Sequence, residues 1–137
     1  MGLILDTCIL IESERRGEGV EDILRRVQAA HGEVDIALAA VSAVELTHGI
    51  YQARTDAART QRRVFVEGVF HDLIVHPLTL EMAQLAGRIE GEQASKGNTI
   101  AFQDLLIGAT ALHLGFEVAS INVKHFLAIP GLAVVNL

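Results

Sequence analysis

A chain of 137 residues, half hydrophobic and a fifth charged, has room for one domain with a real core and is not disordered. Trp is absent and aromatics make up 4%, so that core must be aliphatic; the apolar surplus points to a surface that meets a partner, a homodimer being the simplest expectation. A net charge of −6 argues against a nucleic-acid binder by sum alone, but the distribution of charge outweighs its sum.

Leu3-Ile4-Leu5 reads as a short buried strand, and Thr7 is placed to cap the helix that follows. Gly17 and Gly19 break that helix. It restarts over Val20 to Ala30, with Val20, Ile23, Leu24 and Val27 at helical spacing, and His31-Gly32 stops it. Val34 to Val41 is apolar at strand length, and Ser42-Ala43-Val44-Glu45 matches a capping box opening a helix through Tyr51. Asp56 to Val69 predicts a helix, Leu73 to Val75 a short strand ended by His76-Pro77. Thr79 caps a long helix that runs out at Lys96-Gly97-Asn98. A helix from about Ala101 to Leu114 ends at Gly115, followed by strands over Phe116 to Ile121 and Leu132 to Val135. Strands alternating with helices through short loops predict an α/β fold, a parallel sheet covered on both faces, with the strand carboxyl ends along one edge. Residues 1–137 are expected to form a single domain.

Cys8 is the only cysteine, which rules out an internal disulfide and suits a reducing compartment. No basic segment precedes the first apolar run, and Asp6 interrupts it, unlike a signal peptide. The apolar stretch Leu105 to Phe116 is too short to span a bilayer, so the expectation is a cytoplasmic protein without a membrane partner.

Three acids sit where packing alone would not put them. Asp6 ends a buried strand, Glu45 follows the apolar run ending at Val41, and Asp104 opens the apolar stretch Leu105 to Ala109. Each has a local explanation: a turn for Asp6, the capping box for Glu45, and the helix dipole for Asp104. Each would also point into the crevice at the carboxyl edge of the sheet, where open α/β folds bind ligands. Three carboxylates in mutual contact at about 4 Å would repel by roughly 4 kcal/mol per pair, on the order of 10 in total. Such a cluster holds protons or a cation, and an all-oxygen set suits Mg²⁺ or Mn²⁺. Histidine and cysteine spacing for zinc is missing.

The segment Leu3 to Ile11 with Asp6-Thr7-Cys8, the segment Ser42 to Leu46, and Asp104-Leu105-Leu106-Ile107-Gly108-Ala109-Thr110-Ala111 resemble the three acidic motifs of PIN-domain nucleases. Ser120-Ile121-Asn122-Val123-Lys124-His125-Phe126, with Ile129-Pro130-Gly131-Leu132 beyond it, resembles that family's last motif. The likeness spans essentially the whole chain, and its length and tail look most like the VapC toxins of bacterial toxin–antitoxin pairs.

The resemblance implies a PIN-like three-layer sandwich and a metal-dependent endoribonuclease. Asp6, Glu45, Asp104 and Asn122 would be catalytic, with Asp6, Asp104 and Glu45 serving Mg²⁺ or Mn²⁺. Thr7 and Ser120 would hold a phosphate oxygen or support a metal-bound water. It also implies a structured RNA substrate such as tRNA. A cognate antitoxin is implied too, its tail filling an apolar groove and bringing a basic residue to the acids. One departure stands out: a fourth acid, frequent in this family where Asn122 or His125 stands, is missing here, which weakens the case for a second metal. His125 is open to a ligand, proton-donor or structural role.

Arg54, Arg59, Arg62 and Arg63 fall within ten residues containing one acid, Asp56. They are the candidate phosphate contacts for RNA, against the alternative of a solvated helix face. A PIN domain that binds RNA or protein without cutting is the second reading of function. A phosphotransfer receiver or aspartyl phosphatase is the third, disfavoured because Asp6 stands alone and Cys8 occupies the place of a second Asp.

Overall fold

The computed structural model describes residues 1–137 throughout. Five strands, β1 (Gly2–Leu5), β2 (Asp35–Ala39), β3 (Ile74–His76), β4 (Glu117–Ser120) and β5 (Val134–Asn136), form one parallel sheet in the order β3-β2-β1-β4-β5. Six helices accompany them: α1 (Thr7–Arg15), α2 (Val20–His31), α3 (Ala40–Gln52), α4 (Asp56–Asp72), α5 (Leu80–Ser95) and α6 (Phe102–Leu114). No helix is long and apolar enough to cross a membrane.

The period of two along the strands sorts the core into two layers. Leu3, Leu5 and Leu38 point to one face and pack with Ile9 and Leu10 of α1, Ile23 and Val27 of α2, Leu46 of α3 and Val66 and Val69 of α4. Ile4, Ala37, Ala39 and Val118 point to the other and pack with Ala86 and Ile89 of α5 and the buried stretch of α6. Because β1 is central and covered on both sides, all four of its residues are buried, so it reads as a continuous apolar run. The result is the expected α/β three-layer arrangement.

From β1 the chain moves outward through β2 to β3, then crosses back to β4 on the opposite side of β1. The strand order therefore reverses between β1 and β4, and a crevice opens beyond their carboxyl ends. There the Asp6 N–H donates to the Ala119 carbonyl at 2.9 Å, setting Asp6 beside Ser120.

Several expectations need correction. Helix α3 begins at Ala40, two residues before Ser42, because strand β2 stops with its short neighbours and the alanines at its end favour helix. Ser42 is thus inside the first turn, Ala39 occupies the cap position without a side-chain bond, and no capping box forms. Thr7 does not cap α1 either, since Asp6 holds that position and Thr7 is already helical. The strands expected at Phe116 to Ile121 and Leu132 to Val135 are Glu117–Ser120 and Val134–Asn136. A 3₁₀ turn, Val123–Phe126, had no expectation attached to it. Thr79 caps α5 as expected, accepting from the Met82 N–H, and Gly115 ends α6 in the left-handed conformation at φ 71°.

The 3₁₀ turn carries Asn122 and His125 to the crevice and is anchored by Phe126, which is fully buried against the α6 layer. Phe126→Ala should cost about 3–5 kcal/mol of unfolding free energy, read from urea denaturation; a loss below about 1 kcal/mol would show that the turn is held by something else.

Candidate active site

Asp6 is 5% exposed and lies at the head of α1 with extended backbone, φ −68° and ψ 142°. Its carboxylate does not turn back onto the helix amides. Instead Oδ2 accepts from the Ser120 hydroxyl at 2.7 Å and from the Cys8 thiol at 3.1 Å. The Ser120 hydroxyl donates its one hydrogen to Asp6 and in turn accepts from the Asn122 N–H at 2.9 Å. Burial is the main influence that raises the Cys8 thiol, so it stays a donor, and no histidine contacts it.

Glu45 is half-buried on α3, and its Oε2 accepts from the Gln103 amide. The capping explanation for Glu45 is thereby excluded: neither Ser42 nor Glu45 is spent on the start of α3. Asp104 is in the first turn of α6, where the helix dipole favours an ionised carboxylate. Its carboxyl is nevertheless raised, first by burial and then by the charge of Asp6, with Glu45 adding to the effect and His125 opposing it. Helix α6 thus brings Asp104 into the electrostatic field of both other acids. His125 Nδ1 lies 3.7 Å from Asp104 Oδ2 and is the one basic group paired with any of the three acids; no arginine or lysine reaches them.

Asp6 and Glu45 both act on Asp104 through their charge. No three histidine, cysteine, aspartate or glutamate side chains are grouped closely enough to ligate one ion together. Two of the three carboxylates are engaged by neutral donors: Asp6 Oδ2 by Ser120 and Cys8, and Glu45 Oε2 by Gln103. What remains fits a hard cation held by few protein oxygens and several waters, the habit of Mg²⁺.

The other expected site residues separate. Thr7 and Ser120 are buried and fully engaged, Thr7 donating to the Ser42 hydroxyl at 3.0 Å and accepting from Gln103 at 3.2 Å. Of the two roles expected for them, support for the acids is the one this geometry allows. Asn122 is exposed at the rim. The arginines do not form a free patch. Arg62 donates to the Gly49 carbonyl at 2.9 Å and pairs with Glu14 at 3.3 Å, and Arg59 donates to the Ala53 carbonyl at 3.4 Å. Both hold α4 to its neighbours; Arg62 alone of the four has an ion pair, and Arg54 and Arg63 have neither an ion pair nor a side-chain hydrogen bond. Arg62 also lines a groove of about 230 Å³ between α1, α3 and α4, with Ile11 and Phe65 along it and Glu45 at its edge. Sequence reasoning missed Gln103 and Ser42; a polar residue between Phe102 and Asp104, in an otherwise apolar stretch, was the available signal for the first.

The family model described as PIN domain matches residues 3–130. Ribonuclease VapC of Rickettsia bellii is 30% identical over 137 residues, covering 100% of this chain and 97% of that protein. The tRNA(fMet)-specific endonuclease VapC of Salmonella typhimurium is 30% identical over 94 residues, 69% of this chain and 71% of that protein. Among solved structures, the DNA-bound VapBC from Salmonella typhimurium superposes with a TM-score of 0.84 at 24% identity, over 99% of this chain and 98% of that one.

The raised Asp104 carboxyl has a consequence for stability. Ionising it is harder in the folded chain than in the unfolded one, so its contribution is most favourable below its ordinary value of 3.8 and declines as pH rises beyond that. Asp104→Asn should therefore raise the melting temperature at pH 7 and lose that advantage below pH 3.8. A variant that melts lower than the parent at pH 7 would mean that the His125 contact outweighs the repulsion.

Proposed function

The chain belongs to the PIN domain family and is related to the VapC ribonuclease toxins of VapBC toxin–antitoxin pairs, and from that premise we propose that it is a metal-dependent endoribonuclease restrained by an antitoxin. The observation that carries this reading is the meeting of Asp6, Glu45 and Asp104 in one field without an arginine or lysine to neutralise them. A structural acid would be paired or capped; Asp6 and Glu45 are instead held by neutral donors, and Asp104 meets only His125.

A bound Mg²⁺ or Mn²⁺ would supply Lewis acidity toward a phosphodiester and lower the pKa of an attacking water. Asp6 and Asp104 would hold that ion through their oxygens. Ser120 and Cys8 keep the Asp6 carboxylate from turning. Glu45 would accept a proton from, and so orient, the attacking water. Asn122 would present its amide to the substrate at the rim, but it cannot offset the charge of a second ion, so the reading is of one metal. His125 would share the Asp104 charge as the sugar–phosphate backbone approaches.

The substrate we infer is a structured RNA, tRNA being the leading case, cut in a single-stranded loop whose bases are splayed and reachable. The relative named as tRNA(fMet)-specific supports this class. The groove bordered by Ile11 and Phe65, ending at Glu45, suits an antitoxin segment with an apolar stretch and a basic residue at its tip. A homodimer belongs to the same reading, supported by the exposed Val44, Leu78 and Phe102 around a second groove of about 610 Å³. Residues 1–137 would act as one domain, in the cytoplasm.

Asp6→Asn and Asp104→Asn should each reduce Mn²⁺-dependent cleavage of tRNA at least about a hundredfold, and chelation should abolish it in the parent. Folded variants that cut as fast as the parent would reject these roles. A parent that binds tRNA but never cuts it would favour the non-cleaving alternative. For substrate binding, Arg54→Glu with Arg63→Glu should weaken tRNA affinity in the Asp6→Asn background and flatten the salt dependence by about one unit per arginine. An unchanged slope would make both residues a solvated face.

A further inference from the structure

Glu45 has three rotatable side-chain bonds, no cationic partner, and the like charge of Asp104 nearby. Left alone, such a carboxylate would swing away from Asp104 into solvent. We propose that Gln103 is a positioning residue whose side-chain amide fixes Glu45 in the acidic crevice without cancelling its charge.

Gln103 is the second residue of α6, directly before Asp104. Its Nε2 donates to Glu45 Oε2 and to Thr7 Oγ1 at 3.2 Å, so both amide hydrogens are used. Thr7 gives its own hydrogen to Ser42 Oγ and therefore meets Gln103 only as an acceptor. A carboxylate is likewise an acceptor. The two partners dictate which end of the amide faces them, because turning Oε1 toward them would bring three acceptors together.

These bonds close a ring. Ser42 and Glu45 are one helical turn apart on the same side of α3; Thr7 belongs to α1 and Gln103 to α6. Two of the four members, Thr7 and Ser42, are fully buried, so the ring is anchored in the core and ends at the crevice. Gln103 is tethered at one hydrogen before it reaches Glu45, which lowers the entropy lost in holding the acid. The chemistry of the tether is what matters for a cation site. An arginine or lysine would hold Glu45 as firmly but would neutralise the charge meant for the metal. A primary amide supplies a donor and no charge.

The effect on turnover rests on the nuclease reading above; the hydrogen bonds do not. Two measurements keep them apart. In the ¹⁵N-labelled, metal-free chain, the two Gln103 side-chain amide protons should respond separately: Glu45→Ala should shift one, and Thr7→Val the other. If Glu45→Ala leaves both where they were, the proposal is overturned whether or not the chain cleaves RNA. In Mn²⁺ with tRNA, Gln103→Leu should lower kcat about tenfold to a hundredfold, the usual cost of losing a residue that orients a metal-site group. KM for tRNA should stay within about twofold, because Gln103 touches no substrate. Gln103→Glu, equal in size but lacking the amide hydrogens, should show the same loss and serves if the leucine variant does not fold. An amide that responds, in a chain whose folded Gln103 variants turn over at the parental rate, overturns the positioning role. An amide that responds, in a parent that cleaves nothing, sinks the nuclease reading and leaves the assignment of the tether intact.

Discussion

Negative charge that is held in place without being cancelled is the constraint around which this molecule is arranged. Ser120 and Cys8 fix Asp6, and Gln103 fixes Glu45, all through neutral donors. Asp104 has the open amides of a helix start and one exposed histidine. Neutral hydrogen bonds stabilise a carboxylate but leave its field largely intact; the Asp104 carboxyl is raised first by burial and then by the charge of Asp6, with Glu45 adding to it. At an effective dielectric near 20, two like charges repel by roughly 4 kcal/mol at about 4 Å and roughly 2 kcal/mol at about 8 Å. A fold can carry repulsion of that size, and a bound cation would relieve it.

The sheet supplies the geometry. Reversal of strand order between β1 and β4 puts two carboxyl ends side by side, and the backbone bond from Asp6 to Ala119 locks them in register. Leu5 and Ala119 bury the strand ends, so the next residue on each strand, Asp6 and Ser120, is the first able to face the crevice. Placement of Asp104 depends instead on α6, whose buried run from Leu105 to Ala111 leaves its first turn at the same edge. Core and site are therefore one construction: the apolar residues that specify the layers also aim the acids.

That dependence explains what could be read from the sequence. Period two in the strands, period 3.6 in the helices, and the stops at Gly32 and Gly115 are local signals, and the elements they announce are present. Asp6 was legible because an aspartate directly after a buried strand has little local use. Hydrogen bonds between distant residues leave no such trace. The pairing of Thr7 with Ser42 spans 35 positions and that of Gln103 with Thr7 spans 96. Crowding in sequence also misleads: Arg59 and Arg62 read as half of a basic patch, yet each spends its guanidinium on a backbone carbonyl of the neighbouring segment.

Helix α3 shows most directly how a small local choice opens the site. A capping box starting at Ser42 would use up the Ser42 hydroxyl and the Glu45 carboxylate on each other's backbone. Because the helix begins at Ala40 instead, neither side chain is at a capping position and both are released. Ser42 then meets Thr7 of α1, Glu45 meets Gln103 of α6, and Gly49, one turn further along the same stripe, offers its carbonyl to Arg62 of α4. One helical face thereby joins three other helices, at positions i, i+3 and i+7. The weakly capped start at Ala39 costs about 1 kcal/mol relative to a good cap, a modest local loss. Against it stands a tertiary network that no locally optimal helix start would have allowed, with the crevice acid Glu45 at its centre.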